Sequence, residues 1–390
     1  MTTAPGIYKF LAQERVIFGE PVAEAVAAEA DLRGAERVMI VASKTLNRQT
    51  DVIDGIRAAL GARHVGTYDR TVEHVPRAGV LDLAAEAREL NPDLIVTVGG
   101  GTPIDTVKVA LVCLAEGLTD AAQLSDYHLR VRDDGGLHMP TVGVPPVRQI
   151  IAPTTLSGAE FSNLGASVDV ETRIKHLYSG REICGEAVIL DPAITVHTPE
   201  WLWLSTGMRA VDHAVETICS KRPQPYTDAT TLHGLGMLAT ALRANRAGPD
   251  DLGARLDSQI GVWLASTGLG RIPWGASHGI GHQLGAVAGV PHGHCSCVML
   301  PSVLRYNKPV NADRQKMVSR AMGRPDMEAP EAVAELIADL GMPTRLRDVG
   351  VTRDHFEAIA TGSIGNVFVS QNPRPITDPA QIIEILEMAW

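Results

Sequence analysis

The chain has 390 residues, of which 45% are hydrophobic and 21% charged, and a net charge of −10. That is an ordinary globular balance and too long for one core of usual size, so two domains are expected. An acidic chain with no basic block is not built for nucleic acid or an anionic membrane surface, and no apolar run is long enough to span a bilayer.

The first twenty residues lack the basic start and apolar run of a signal peptide. Five scattered cysteines, Cys113, Cys184, Cys219, Cys295 and Cys297, read as reduced thiols of a cytoplasmic protein rather than as a disulfide framework. Apolar alternation around residues 8–10 and 16–18 predicts a short hairpin or edge strands. A helix (21–32), a strand (37–42), a helix (48–60), a strand (64–68), a helix (79–90) and a strand (93–98) follow. This alternation predicts a parallel sheet with helices on both faces.

The strand at 94–98 runs into Gly99, Gly100, Gly101 and Thr102, with Asp105 and Lys108 in the helix beyond. Three glycines at a strand end let backbone N–H groups approach a phosphate, and the helix dipole favours its charge. The spacing is neither GxGxxG nor a Walker loop. A plain tight turn is the competing reading, but it needs no such run of glycines. A loop-rich stretch (119–148) holds Asp133-Asp134-Gly135-Gly136. A strand (149–152) then meets Thr154, Thr155 and Ser157, whose hydroxyls stand at a second strand end of the same sheet, where α/β folds bind ligands. Lys175 lies in an expected hairpin (166–178) and could reach the same crevice. The last strand (187–190) is closed by Asp191, read as structural. The pattern is helical from about residue 198, so the domains are expected at 1–196 and 197–390.

The helical half carries the second candidate site. His278 and His282 are four apart and share one face of a helix. His292 follows a Gly-Val-Pro break, and His213 lies in a helical pattern upstream. One such histidine alone is more often a satisfied core residue. Three in one apolar, Gly-rich run point to metal ligation or proton transfer. Cys295 and Cys297 have the wrong spacing for a zinc pair.

These motifs resemble one family. The segment GGGTPIDTVK is similar to the GGGSxxDxxK loop of the iron-containing alcohol dehydrogenase superfamily. DPAITVHTP, GMRAVDHAVE, HGIGHQLG, VPHG, LPSVLRYN and Asn372-Pro373-Arg374 follow in that family's order. The resemblance implies an N-terminal Rossmann-like nucleotide-binding domain, a C-terminal helical domain, and a crevice for NAD(P) and usually a divalent metal, Fe2+ or Zn2+. It implies that Gly99, Gly100, Gly101 and Thr102 hold the pyrophosphate, that Thr154, Thr155 and Ser157 line the cofactor, that Asp105 supports the loop, and that Lys175 contacts the nicotinamide end. His213, His278 and His292 match metal ligands, and His282 the histidine beside nicotinamide and substrate. A homodimer or larger homo-oligomer is also implied.

The fourth ligand departs from the pattern. The family's Asp, four residues before His213, is Arg209 here. A guanidinium cannot ligate a metal, and at roughly 4 Å and an effective dielectric near 20 it repels a dication by about 8 kcal/mol. Asp212 could pair with Arg209, but lies about 100° round the helix from His213 and is a poor replacement ligand. Maleylacetate reductases resemble the same scaffold, lack that Asp and are thought to work without metal. The length of PTTLSGAE and His74-Val75-Pro76 lean the same way, whereas VPHGHCS looks more like the alcohol dehydrogenases. Metal-dependent NAD members often carry Asp where this chain has Ser43, so both NAD(H) and NADP(H) stay open.

The expected chemistry is hydride transfer between a nicotinamide and a carbonyl or alcohol carbon of a small molecule, a keto acid or aldehyde. Arg209 would stabilise the alkoxide or hold a substrate carboxylate, and His282 or His278 would pass the proton. The alternatives are an iron- or zinc-dependent alcohol dehydrogenase, a lyase that uses NAD transiently, and a nucleotide-binding homologue without turnover.

Overall fold

The computed structural model describes residues 5–132, 137–172 and 174–390. It divides into an α/β unit, Phe10–Thr198, and a helical unit that begins at Pro199. The break falls two residues beyond the expected boundary. Residues 5–9 group with the helical unit instead of opening the α/β domain. The cause is local: Tyr8 donates to Thr267 O (2.9 Å), Gln224 to Ile7 O (3.0 Å) and Arg271 to Lys9 O (3.0 Å). Tyr8 therefore forms no strand, and of the expected opening hairpin only 15–18 is extended.

The α/β unit runs β1 (Arg15–Phe18), α1 (Val22–Arg33), β2 (Val38–Ala42), α2 (Lys44–Gln49), α3 (Val52–Leu60), β3 (His64–Tyr68), α4 (Arg77–Leu90), β4 (Leu94–Gly99), α5 (Gly101–Glu116), β5 (Arg130–Val131), β6 (Leu137–His138), β7 (Arg148–Pro153), β8 (Leu164–Asp169), β9 (Ile174–Ser179) and β10 (Gly185–Leu190). The expected helix at 48–60 is two helices. Thr50 Oγ1 donates to Leu46 O (2.7 Å) and accepts from Val52 N (3.4 Å), so a side chain takes over backbone pairing where the helix would continue. The loop-rich stretch includes the small β5–β6 hairpin, and Asp133–Gly136 lie outside the described residues.

Six parallel strands form one sheet in the order β1-β10-β7-β4-β2-β3. The buried runs Val38–Ala42 and Leu94–Gly99 explain why β2 and β4 sit inside it, covered on both faces. From β2 the chain passes outward to β3, and from β4 it passes the other way to β7. The topological switch point, where doubly wound sheets bind ligands, therefore lies between β2 and β4. The β8–β9 pair is a separate antiparallel hairpin, as the sequence predicted.

The helical unit contains α6 (Glu200–Ile218), α7 (Pro225–Ala247), α8 (Leu252–Ala265), α9 (Ala276–Ala288), α10 (His292–Ala321), α11 (Ala329–Asp339), α12 (Phe356–Ile364), α13 (Val367–Ser370) and α14 (Pro379–Met388). Helix α6 packs on α7 and α10, and α10 on α9 and α11. Ile280, Leu284, Val303, Tyr306 and Ile382 share one core that fixes α9 against α10. Helix α9 stops at Gly289, whose left-handed φ of 67° ends it as the Gly-Val-Pro break foretold. No helix among the described residues is long and apolar enough to cross a membrane.

Candidate active site

The nucleotide loop of the α/β unit sits at the switch point. Gly99 ends β4 with φ 148°, and a Cβ on it would lie 2.7 Å from Pro103 Cγ. Gly100 caps α5, and a Cβ there would meet Thr155 Cγ2 at 2.8 Å. Gly101 and Thr102 open the helix, so their N–H groups belong to the unpaired first turn. Thr154 N bonds Gly99 O (3.0 Å), and Thr155 Oγ1 donates to Ser157 Oγ (3.3 Å), which lines up the second hydroxyl-bearing turn beside the first. Ser43 N bonds Val98 O (3.3 Å) at the end of β2, and Ser43 Oγ caps α2 by accepting from Leu46 N. A side chain at Gly99 or Gly100 would fill this cradle, and the first turn of α5 offers donors. The loop therefore fits a dinucleotide pyrophosphate.

Asp105 is pushed up by burial, while Lys108 and Lys175 pull it back down, which places both ammonium groups within its field. Lys108 is buried, with its Nζ bonded to Ala159 O (2.5 Å) and Leu164 O (2.9 Å). Asp191 accepts from Val22 N and Ala193 N, both at 2.8 Å, and serves as a structural strand end.

In the helical unit, α6 presents Arg209, Asp212, His213 and Glu216 on adjoining turns, and α9 presents His278 and His282 one turn apart. His292 begins α10. The four histidines come together: His213 stacks on His278 (5.1 Å between centroids), His282 lies 6.2 Å from His292, and all three others are near enough to disfavour a proton on His278. Trp274 covers His278 at 4.1 Å and His213 at 4.8 Å. His213 and His278 are buried and held neutral, first by burial and then by the Arg209 charge.

Glu216, which the sequence reading passed over, is the partner of His278, with Oε2 2.6 Å from its Nδ1. It also accepts from Gly275 N (3.1 Å) and Ser277 N (3.0 Å), capping α9 from another helix. The only signal was spacing, since 209, 212, 213 and 216 fall on neighbouring turns of one helix. Ser277 and Ser296 were also missed. Both donate to Asp212 Oδ2, at 2.9 and 2.7 Å. Asp212 lies fully buried 3.9 Å from Arg209 Nη1, and its Oδ2 is 3.6 Å from His278 Nδ1. It therefore faces the site more directly than its angle from His213 suggested. Burial raises both carboxyls, their mutual repulsion raises Glu216 further, and Arg209 opposes the rise in each.

Whether these groups suit a metal turns on two opposed observations. His213 Nδ1, His278 Nε2 and Asp212 Oδ1 are buried without a hydrogen-bond partner, as ligands are. Arg209 stands one turn before His213 and donates to Ser296 (3.2 Å), with its cation inside the cluster. The imidazoles suit a metal, but the fourth position does not, so the family's complete four-ligand set does not fit.

The model described as "Iron-containing alcohol dehydrogenase" matches residues 13–192, and that described as "Fe-containing alcohol dehydrogenase family, C-terminal" matches 203–390. The chain belongs to the iron-containing alcohol dehydrogenase family and is an oxidoreductase. It is 32% identical to the dehydrogenase FUM7 of Gibberella moniliformis, covering 96% of this chain and 95% of that one. It is 28% identical to maleylacetate reductase of Burkholderia cepacia (96% and 95%) and to lactaldehyde reductase of Escherichia coli (98% and 99%). A solved 1,3-propanediol oxidoreductase superposes with a TM-score of 0.88 at 26% identity, over 99% of this chain and all of the other. The Agrobacterium tumefaciens maleylacetate reductase, at 0.83 and 23%, shares the fold, as does a Bifidobacterium kashiwanohense sulfoacetaldehyde reductase solved with NAD+ (0.86 and 22%).

Proposed function

We propose that this protein is an NAD(P)H-dependent reductase that converts a small carbonyl compound, a keto acid or aldehyde, into its alcohol, with Arg209 supplying the positive charge that a metal supplies in metal-dependent relatives. What carries the reading is Arg209 itself, one turn before His213, with its charge acting on the imidazoles. Bound at the glycine loop, the reduced nicotinamide would supply the hydride. Gly99, Gly100, Gly101 and Thr102 receive the pyrophosphate, and Thr154, Thr155, Ser157, Asp105, Ser43 and Lys175 complete that cradle. Arg209 would stabilise the negative charge that a carbonyl oxygen gains when its carbon is reduced. His282 gives the proton, and His278 is the second candidate donor. Among the described residues the Arg209 guanidinium makes one hydrogen bond, to Ser296, which leaves N–H donors for a substrate carboxylate.

A second reading keeps a divalent metal on His213, His278 and His292, and the orphaned Nδ1 of His213 and Nε2 of His278 favour it. Likeness to the family supports the companion proposals of a homodimer or larger assembly and, with five buried cysteines, of a cytoplasmic setting.

The deciding experiment follows oxidation of NADH and NADPH with maleylacetate, simple aldehydes and keto acids, before and after exhaustive chelation, with metal content measured by mass spectrometry. Turnover by metal-free protein is expected. Loss on chelation, restored by Fe2+ or Zn2+, overturns the Arg209 reading in favour of the metal.

A further inference from the structure

Arg77, the first residue of α4, is buried and grips three other segments of the α/β unit. Its Nη1 reaches Ala121 O (3.1 Å), Ser125 Oγ (3.0 Å) and Asp169 Oδ2 (3.1 Å), and its Nη2 reaches His176 Nδ1 (2.8 Å). Asp169 ends β8, and His176 lies in β9 next to Lys175. In that hairpin Val168 faces Lys175, so Arg77 holds the residue following Val168 on one strand and the residue following Lys175 on the other. The hairpin has no place in the six-stranded sheet.

The corner before Arg77 points the same way. His74 and Val75 both have positive φ, 66° and 54°, which is rare outside glycine and rarer still for a β-branched residue. Such conformations persist only where surrounding contacts over-determine them. Here Val75 O accepts from Val168 N (2.9 Å), so the strained corner and the Arg77 fork bind the same stretch of hairpin. Neighbouring side chains on a strand point to opposite faces. His176 turns toward Arg77 and stacks on His128 at 4.0 Å, while Lys175 takes the other face; the hairpin lies directly on α5, where a Cβ on Gly165 would meet Lys108 Cβ at 2.9 Å, and the Lys175 charge reaches Asp105 of that helix.

We propose that Arg77 is a positioning residue for the cofactor site: by clamping Asp169 and His176 it fixes the β8–β9 hairpin so that Lys175 is held beside the nucleotide loop. This rests on the proposed binding of a nicotinamide nucleotide at that loop. The test is a fluorescence titration of NADH and NADPH into wild type, Arg77→Met, Lys175→Met and the double variant, all confirmed folded by circular dichroism. Each single variant should weaken binding about tenfold, and the double variant should bind no worse than Lys175→Met alone, because both remove one interaction. Arg77→Lys, which cannot span both partners, should not restore affinity. Unchanged affinity in folded Arg77→Met, or losses that simply add in the double variant, would overturn the proposal. If Arg77→Met does not fold, Asp169→Ala and His176→Leu each remove one arm, and unaltered binding in both has the same consequence. A wild type that binds neither nucleotide defeats the underlying reading as well, which separates that failure from this one.

Discussion

His278 turns Nδ1 onto Glu216, 2.6 Å from its Oε2, so its Nε2 is the nitrogen left for chemistry. A carboxylate on Nδ1 fixes the tautomer and the ring's orientation. Glu216→Gln leaves one acceptor oxygen where the carboxyl has two, so Gly275 N, Ser277 N and His278 Nδ1 can no longer all keep their partner. The expected result is a fall in kcat of about 10- to 100-fold with KM for the nucleotide unchanged. Steady-state kinetics with the nucleotide varied decides it, and an unaltered kcat would remove Glu216 from the working site.

Arg209 acts through charge in the proposed mechanism, so its removal should be felt in the rate. Arg209→Met should lower kcat/KM by about 10²- to 10³-fold, comparable to loss of one oxyanion donor. Arg209→Asp replaces the cation with a carboxylate one turn before His213. That variant should retain Fe2+ or Zn2+ through dialysis where the wild type does not. Equal metal content in the two proteins would show that Arg209 does not govern metal binding.

The Gly100 cradle gives a steric prediction. A Cβ at this position would lie 2.8 Å from Thr155 Cγ2 and 3.2 Å from its Oγ1. Gly100→Ala must push the two turns apart, at a cost of about 1–3 kcal/mol for overpacking. The loss should appear as nucleotide affinity lowered about tenfold or more, read by isothermal titration. Undiminished affinity would mean that the two turns do not jointly enclose the ligand.

The parts of this molecule legible in the sequence were those whose physics is local. Val38–Ala42 and Leu94–Gly99 announced buried strands by composition, three glycines announced a close approach, and two histidines four apart announced a shared helix face. The break at Thr50 was missed because one hydroxyl decided it against a helical pattern on both sides. Glu216, Ser277 and Ser296 were missed for a different reason. Each acts on a residue more than sixty positions away, and nothing near it in sequence marks the pairing. Arg77 is the extreme case. It is one arginine at a helix start, given meaning only by a hairpin nearly a hundred residues on.

Ser43 bears on cofactor choice. Its hydroxyl caps α2 and its N–H bonds Val98 O at the switch point. Ser43→Asp keeps a capping oxygen, since Asp caps as well as Ser. A carboxylate at this strand end would repel a 2′-phosphate. The ratio of kcat/KM for NADPH to that for NADH should therefore fall about tenfold or more, with thermal stability retained. A constant ratio would place the adenosine ribose away from Ser43.

His176 ties stability to pH. Burial pushes it down to about 4, and the charges of His128, Arg77 and Arg130 push the same way against Asp169. In the unfolded chain it titrates near ~6.5. Between those values the unfolded state binds a proton that the folded state does not, so stability is complete above the unfolded value and declines as pH falls toward the folded one. At pH near ~5 the loss from this residue should be about 2 kcal/mol, taken as an upper figure because the ring is only half-buried. His128 is also held down by burial and adds to the slope in the same sense. His176→Asn keeps an acceptor for Arg77 but cannot titrate. Urea unfolding of both proteins at neutral pH and near pH ~5 should show a smaller decline for the variant. An identical decline would mean that His176 accepts its proton in the folded protein, with Arg77 turned away from Nδ1.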